Sequence, residues 1–193
     1  MVLKESPNYL YNIFIVYFMK ICVFGSSSGK TPKEYTDVGY ELGLKIAENG
    51  HSLVFGGGNE GMMGAVASGV YANHGEIIAI APVWIKDFNN EFQHADEHIK
   101  TDTMHQRKDL FLEKSDVFIV CPGGVGTMDE FFDLITLRKL ERHSKKIILF
   151  SINHFYDFLF SLLLKMNYEG IIADKTIKMI EVAHTIDELF KLL

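Results

Sequence analysis

Short apolar segments that alternate with helical patterns constrain the fold of this chain more than any other feature. The predicted strands are Lys20–Gly25, Ser52–Phe55, Glu76–Ile80, Val117–Cys121, Lys146–Phe150 and Ile177–Val182. The predicted helices are Pro32–Asn49, Gly61–Asn73, Thr103–Lys114, Thr127–Glu141, His154–Met166 and Thr185–Leu193. The strands are continuous apolar runs, which is typical of strands buried on both faces. Their alternation with helices predicts an α/β fold with a mainly parallel sheet and helices on both faces.

The segment from Val83 to Asp102 shows only weak periodicity, and no strand is predicted there. We expect it to cross the carboxyl ends of the strands, where open α/β sheets bind their ligands. The net charge of −6 argues against a broad basic surface for nucleic acid or for an anionic membrane.

The first eighteen residues stand apart from the alternating pattern. The apolar run at 9–18 is about half the ~20 residues that a membrane-spanning helix needs. No small-residue cleavage site of the kind that follows a signal peptide comes after it. We therefore expect residues 1–18 to be an extension, with Met19 as the functional start, and 19–193 to form one domain. An extra edge strand, an arm on a partner subunit and an unusual anchor remain open.

The loop after the first predicted strand, Gly25–Thr31, has the small side chains of a ligand-binding turn. A P-loop needs four residues between its glycines, whereas three separate Gly25 from Gly29, so we do not expect an ATPase. The hydroxyl of Ser26 and the loop amides either face a ligand or belong to a plain strand-to-helix turn, and both interpretations stay open here.

The loop after the second predicted strand contains three consecutive glycines, Gly56–Gly58, followed by Gly61 and Gly64. Glycine allows a backbone or a ligand to approach closely, so Gly58 is a candidate ligand contact. A dinucleotide-binding fingerprint normally follows the first strand, and no acidic residue closes this second one. An NAD-dependent oxidoreductase is therefore not indicated.

The most informative loop begins at Pro122 and leads into a long predicted helix. Gly123, Gly124 and Gly126 leave backbone amides free, Thr127 adds a hydroxyl, and the helix N-terminus carries a partial positive charge. This combination predicts a phosphate site, although a tight turn before a capped helix is the alternative. Glu130 lies one turn further on, where its carboxylate would face a sugar or a water rather than the phosphate.

Arg107 and Lys108 lie at the start of a predicted helix, where cations oppose the helix dipole. This position favours an anionic ligand nearby, although a surface pair matched with Asp109 or Glu113 would also account for it. His94 and His98 have the spacing of zinc ligands but lack the glutamate of a zinc protease motif, so we expect a surface segment and no metal site there.

The two cysteines, Cys22 and Cys121, lie 99 positions apart. They form no disulfide framework, which fits a reducing compartment and predicts a cytoplasmic protein. Cys121 has no CxxC partner and is predicted to be a core residue.

Three motifs, Gly56–Gly64, Met104–Lys108 and Pro122–Glu130, resemble in order and position those of the LONELY GUY (LOG) family of cytokinin riboside 5'-monophosphate phosphoribohydrolases. The resemblance runs from about Met19 to the C-terminus. It implies a Rossmann-like three-layer fold, a homodimer or a larger homo-oligomer, and hydrolysis of the N-glycosidic bond of an AMP-like nucleotide. The products would be a free base and ribose 5-phosphate, and the reaction would need no cofactor and no metal.

Matched to the family motifs, Arg107 and Glu130 take the two catalytic positions. Together with the loop candidates above, the substrate-binding candidates are Ser26, Gly58, Lys108, Gly123, Gly124, Val125, Gly126, Thr127, Met128, Asp129 and Thr136.

The sequence departs from the family pattern at several positions, which bear on base preference more than on hydrolysis. Val125 stands where tyrosine is common and Cys121 where leucine is common; Leu137 and Lys139 replace an aromatic residue and a glutamine. Asn89 takes the place of an acidic substrate contact, for which Glu91 could substitute after a small shift.

The older description of the family as lysine decarboxylases does not fit, because no lysine here has an identifiable setting for a pyridoxal Schiff base. The competing interpretation is a non-catalytic nucleotide-binding or molybdenum-cofactor-binding protein. Such a protein would need the phosphate site but not the pair of Arg107 and Glu130.

Overall fold

The computed structural model describes residues 18–84 and 91–193. Most of the predicted N-terminal extension, and the segment that contains Asn89, lie outside the described residues. The strands are β1 Lys20–Phe24, β2 Ser52–Phe55, β3 Ile77–Pro82, β4 Glu97–Thr101, β5 Val117–Val120, β6 Lys146–Phe150 and β7 Ile180–Ala183. The helices are α1 Lys33–Glu48, α2 Gly61–Ala72, α3 Met104–Lys114, α4 Val125–Lys139, α5 Asp157–Tyr168, α6 Asp174–Ile177 and α7 Ile186–Leu192.

The seven strands form one sheet in the order β4-β3-β2-β1-β5-β6-β7, and every pairing is parallel. The predicted α/β class with a parallel sheet is confirmed. The strand order reverses between β1 and β5, the position at which open α/β sheets bind ligands at the carboxyl ends of their strands. The amide of Ser26 donates to the Pro122 carbonyl at 3.0 Å and ties the two loops together.

The sheet has a separate apolar core on each face, as expected of a three-layer fold. One core packs α1, α2 and α7 through residues such as Leu42, Val66 and Leu189. The other packs α3, α4 and α5 and is rich in aromatic side chains, including Phe111 and Phe131. Helices α3 and α4 therefore lie on the same face, and this arrangement positions the candidate site.

Glycines allow α1 and α2 to cross with their backbones in contact. A Cβ at Gly43 would lie 2.1 Å from the Val66 carbonyl oxygen, and one at Gly69 would lie 2.1 Å from that of Tyr40. Gly61 adopts a φ of +62° and packs against the backbone of Ser26 and Ser28. The glycines of this chain therefore serve the close backbone approaches that the sequence predicts.

The prediction missed β4, which lies within the segment taken to have no strand. Its sequence, Glu-His-Ile-Lys-Thr, is mostly polar because β4 is an edge strand in which only Thr101 is fully buried. The remainder of the expected crossing includes residues 85–90, which lie outside the described residues.

Two further boundaries differ from the prediction by three residues, and the others agree within two residues. The last strand begins at Ile180 rather than Ile177, since Asp174–Ile177 forms a short helix first. Helix α5 begins at Asp157 rather than His154, because Asn153 and His154 have φ angles of 49° and 60° that no helix can include.

None of the helices in the described part of the chain combines the length and the apolar character that crossing a bilayer requires.

Candidate functional site

Arg107 and Glu130 form a buried ion pair between α3 and α4. Their side chains are only 8% and 9% exposed, and Nη1 of Arg107 donates to Oε1 of Glu130 at 2.8 Å. Nε of Arg107 donates to the carbonyl of Ile80 within β3 at 3.0 Å, and the guanidinium lies 4.7 Å from the centre of the Phe111 ring. The two residues predicted as catalytic are thus brought together across 23 positions of sequence.

Gly56 makes room for this arginine. A Cβ at Gly56 would lie 2.2 Å from Nη2 of Arg107, far inside contact distance. The missing side chain at Gly56 therefore leaves space for the guanidinium, a role that the sequence did not predict.

Two opposing effects act on the pKa of the Glu130 carboxyl group. Burial raises its pKa, and the neighbouring guanidinium of Arg107 partly offsets that rise. Among the described residues, Arg107 is the only hydrogen-bond partner of this carboxylate, and it uses Oε1. Oε2 is available to a substrate or a water.

Lys108 is held by two carboxylates of α4, at 3.5 Å from Asp129 and 3.3 Å from Asp133. Burial lowers the pKa of Lys108, but the charges of Asp133 and Asp129 raise it more, so the net pKa lies above the ordinary value. The expected alternative partners, Asp109 and Glu113, are not the ones that Lys108 contacts. The i,i+4 spacing of Asp129 and Asp133 was the signal that could have identified them.

The Pro122–Thr127 loop leads from β5 to α4, with open space at two of its three glycines. A Cβ added at Gly124 or Gly126 would meet nothing within 4 Å, whereas one at Gly123 would lie 2.2 Å from the Thr127 hydroxyl. No side chain caps the N-terminus of α4, and the Thr127 hydroxyl has no hydrogen-bond partner among the described residues. Free amides and a free hydroxyl at a helix N-terminus suit an anionic ligand.

Ser26 lies beside this loop, in the loop after β1. Its hydroxyl oxygen accepts from the Ser28 amide at 3.2 Å and from the Thr31 hydroxyl at 2.8 Å. A cleft of about 240 Å³ between the two loops is lined by both Ser26 and Gly123. The structure therefore brings these two candidates to one opening.

Gly58 pairs across an isolated bridge with Glu91, so Glu91 has its backbone next to the glycine run. Its carboxylate is directed to β4, where it contacts Lys100 and lies 3.2 Å from Nδ1 of His98. The Lys100 ammonium holds the pKa of Glu91 below its ordinary value. Glu91 is thus an ionised acid close to Gly58, with its charge already paired.

Three of the substrate-binding candidates line the first turns of α4: Val125 is 88% exposed, Asp129 is exposed and Met128 is half-buried. Thr136 is different. It lies nine residues beyond Thr127, about 14 Å along the helix axis, and its hydroxyl donates to the Phe132 carbonyl at 2.7 Å. Within one chain, Thr136 does not reach the loop.

Tyr156 is a supporting residue that the sequence did not reveal. Its buried hydroxyl donates to the Cys121 carbonyl at 2.6 Å and fixes the start of the Pro122–Thr127 loop. Burial raises the pKa of Tyr156 well above its ordinary value, so the hydroxyl keeps its proton. Cys121 itself is fully buried, as predicted for a core residue.

Comparison with known proteins identifies similar sequences over most of the chain. Residues 63–193 match a family model described as "Possible lysine decarboxylase". The cytokinin riboside 5'-monophosphate phosphoribohydrolase LOG3 of Arabidopsis thaliana is 36% identical over 177 residues, which are 91% of this chain and 82% of that protein. The probable cytokinin riboside 5'-monophosphate phosphoribohydrolase LOGL5 of Oryza sativa subsp. japonica is 34% identical over 173 residues, covering 89% and 70%.

Solved structures share the fold at lower identity. The molybdenum cofactor binding protein of Rippkaea orientalis superposes with a TM-score of 0.66 at 24% identity, covering 90% of this chain and 92% of that one. The molybdenum cofactor carrier protein of Chlamydomonas reinhardtii superposes with a TM-score of 0.68 at 19% identity, covering 91% and 96%. These similarities concern the fold alone.

Proposed function

The chain belongs to the family of the cytokinin riboside 5'-monophosphate phosphoribohydrolases, and from this membership we propose that it hydrolyses the N-glycosidic bond of an AMP-like nucleoside 5'-monophosphate. Water adds at C1' of the ribose, and the products are the free base and ribose 5-phosphate. The observation that carries the proposal is the buried pair of Arg107 and Glu130 beside the open Pro122–Thr127 loop. A protein that only bound nucleotides would not need this pair.

The 5'-phosphate binds at the amides of Gly124 and Gly126, the hydroxyl of Thr127 and the N-terminus of α4. Binding energy gained at the phosphate orients the ribose, so the reaction loses less entropy at the bond that breaks.

As the C1'–N bond lengthens, positive charge develops on the sugar. Oε2 of Glu130 stabilises that charge and takes a proton from the attacking water. As the C1'–N bond breaks, the leaving base takes up one proton from solvent, so one water is consumed for each bond broken. Arg107 acts through Glu130, because its hydrogen bond orients the carboxylate and its charge favours the ionised form despite burial. The reaction needs no metal and no cofactor in this scheme.

Release of free base tests the proposal directly. The protein is incubated with AMP and with isopentenyladenosine 5'-monophosphate, and adenine or isopentenyladenine is measured by chromatography. We expect Glu130→Gln to lower turnover by about 10²–10⁴-fold, the usual contribution of a general base, while Glu113→Gln, an exposed glutamate on α3, leaves it unchanged. Binding of both nucleotides without base release would contradict the proposal, and so would near wild-type turnover by Glu130→Gln.

We also propose that the chain forms a homodimer through the exposed face of α4. Val125, Phe132, Thr136 and Leu140 repeat at intervals of seven, four and four residues, so they lie along one side of the helix. Phe132 is 40% exposed and Leu140 is 62% exposed. A neighbouring subunit on this face would cover the apolar side chains and bring Thr136 to a second site.

Sedimentation velocity tests the dimer. Leu140→Lys should shift the protein towards the monomer, while Glu41→Lys on the opposite face of the sheet should not. A wild-type protein that sediments as a monomer at tens of micromolar would contradict the interface.

We further propose a cytoplasmic location. Both cysteines are buried free thiols, which supports a reducing compartment.

A further inference from the structure

A cluster of metal-ligating side chains lies at the carboxyl ends of β6 and β7, outside the site described above. His154, Asp157 and His184 each offer one ligand atom, and these atoms all lie within 4.8 Å of one another. Nδ1 of His154 is 3.1 Å from Oδ2 of Asp157, and the two imidazole rings are 4.9 Å apart. No other such group of three occurs within residues 18–84 and 91–193.

Ser151 joins the two segments of the chain that carry these side chains. This buried residue receives hydrogen bonds from the His154 amide on its carbonyl at 3.1 Å and from the Tyr156 amide on its hydroxyl oxygen at 3.0 Å. Its own amide donates to the Ala183 carbonyl at 2.8 Å. The loop after β6 and the turn after β7 are therefore joined at one residue.

The same serine fixes the protonation pattern of His184. Nδ1 of His184 lies 3.2 Å from the Ser151 carbonyl oxygen, which accepts a hydrogen bond only if that nitrogen carries the proton. Nε2 then keeps its lone pair. A histidine that donates one ring N–H to a backbone carbonyl and presents the other nitrogen is the usual arrangement of a metal ligand.

We propose that His154, Asp157 and His184 bind a divalent transition-metal ion of the zinc class. Two imidazoles and one carboxylate suit Zn²⁺, Co²⁺ or Ni²⁺ better than Mg²⁺ or Ca²⁺, which prefer oxygen ligands. Ligands placed about 2.0–2.2 Å from such an ion lie roughly 3.3 Å apart in a tetrahedron, so the exposed side chains need only small rotations. Water or an external ligand completes the coordination.

The proposed ion would connect two segments on the β6–β7 side of the sheet, and its binding can be measured without any assay of the proposed hydrolysis. The left-handed backbone at His154 has a role in this arrangement, since it directs the imidazole back towards Asp157 at the start of α5. The sequence did not predict this cluster, because its members come from two loops that are 30 positions apart.

Calorimetric titration tests the site. Protein without an affinity tag is treated with EDTA, exchanged into metal-free buffer at pH 7.5 and titrated with ZnCl₂; a second sample is titrated with CoCl₂ and its visible spectrum is recorded. We expect one Zn²⁺ per chain, a higher Tm with Zn²⁺, and the visible absorption bands of Co²⁺ bound by nitrogen and oxygen at low coordination number.

The variants distinguish this site from adventitious binding. His154→Asn removes the imidazole with a residue that tolerates the left-handed backbone, and His184→Gln removes the second ligand. Each should weaken Zn²⁺ binding by at least about tenfold, which is the smallest loss usual even for a residue that only orients a ligand. His105→Ala, an exposed histidine on α3, should bind as the wild type does.

Absence of stoichiometric binding in the wild type would overturn the proposal. It would also be overturned if His154→Asn and His184→Gln, both folded by circular dichroism, bound Zn²⁺ with wild-type affinity. Loss of binding in His105→Ala would place the ion elsewhere.

Discussion

The carboxyl group of Glu130 experiences burial and a cation at once. Burial raises its pKa, while the Arg107 guanidinium at 2.8 Å opposes that rise. Burial has the larger effect, so the net pKa of Glu130 lies above that of an ordinary glutamate, beside an apolar core that includes Phe111 and Phe131.

The pH dependence of kcat/KM follows from this balance. Because the pKa of Glu130 is raised, the ionised form is lost on the acid side at a pH above the pKa of about 4.3 of an ordinary glutamate. Arg107→Gln removes the main effect that opposes burial. The acid limb of the profile, where kcat/KM falls as Glu130 is protonated, should therefore move to higher pH as the maximal rate falls. Rates of base release from AMP between pH 4 and 9, measured for the wild type and for Arg107→Gln, give the position of the acid limb in each protein. An unchanged acid limb in Arg107→Gln would show that Arg107 does not act on Glu130.

A substitution at Gly126 can distinguish an effect on phosphate binding from an effect on stability. A Cβ there meets nothing within 4 Å, and alanine is the better helix former by up to about 1 kcal/mol. We expect Gly126→Ala to unfold at the same or a higher temperature. Its KM for AMP should rise about tenfold, because the methyl group obstructs an amide whose hydrogen bond to a charged group is worth about 1.5–3 kcal/mol. An unchanged KM would show that the phosphate lies elsewhere.

At the scale of single residues, the sequence predicted which residues form the candidate site but not the contacts that position them. Arg107 and the Pro122–Thr127 loop followed from charge at a helix start and from glycine spacing, while the pairing of Arg107 with Glu130 as catalytic positions came from the family resemblance. The space that Gly56 leaves for Arg107 and the hydrogen bond of the Tyr156 hydroxyl could not be predicted, since each depends on an approach between segments far apart in sequence. Asp133 could have been found from its spacing to Asp129.

Among the elements, α1 and α2 show how far glycine determines packing. Their crossing at Gly43 and Gly69 leaves no room for a side chain, and both backbones would have to move apart to admit one. The close approach also positions the start of α2, where Gly61 packs on the backbone of the Ser26 loop.

Gly43→Ala should therefore destabilise the protein by about 1–3 kcal/mol, the cost of overpacking a close-packed interface. Its urea midpoint should fall accordingly, whereas Glu41→Ala, an exposed position on the same helix, should change stability by less than about 0.5 kcal/mol. A Gly43→Ala midpoint equal to that of wild type would mean that the helices can separate without cost.

Central elements were easier to predict than edge elements for a physical reason. Strands β1, β2, β5 and β6 are buried on both faces, so their apolar runs are unambiguous. The edge strand β4 is stabilised by one neighbour and carries polar side chains, and β7 follows a one-turn helix whose Ile177 extends the apolar run. Hydrophobic pattern alone does not distinguish such residues from a loop or a longer strand.

For the whole molecule, the buried His51 and the half-buried His143 make the stability of the fold depend on pH. The ring nitrogen Nδ1 of His51 accepts from the Met19 amide at 3.3 Å, and Nδ1 of His143 accepts from the Lys145 amide at 3.2 Å. Burial lowers the pKa of both residues. Each ring must be neutral at Nδ1 to keep its hydrogen bond.

Because the folded-state pKa values are lowered, the unfolded chain binds more protons as the pH falls. The contribution of these histidines is fully present above the unfolded pKa of about 6.5 and is lost as the pH falls below it. Tm should therefore decline from pH 7 to pH 5, and it should decline less in the double variant His51→Gln, His143→Gln. The raised pKa of Glu130 acts in the opposite sense, so the comparison is made in the Glu130→Gln background.

Thermal unfolding followed by circular dichroism measures this slope, with His105→Gln as the matched exposed histidine. A double variant whose Tm falls as steeply as that of its parent would show that other groups control acid unfolding.

The two residues of the ion pair lie on opposite sides of β5 in the chain, which matters if the chain is cut into two fragments. Arg107 comes before β5 and Glu130 after it, so a chain cut between α3 and β5 would leave the guanidinium on one fragment and the carboxylate on the other. Neither piece would release base alone. Mixing them would regain hydrolysis only to the extent that the sheet reassembles, and the reaction would then serve as a complementation assay for the fold itself.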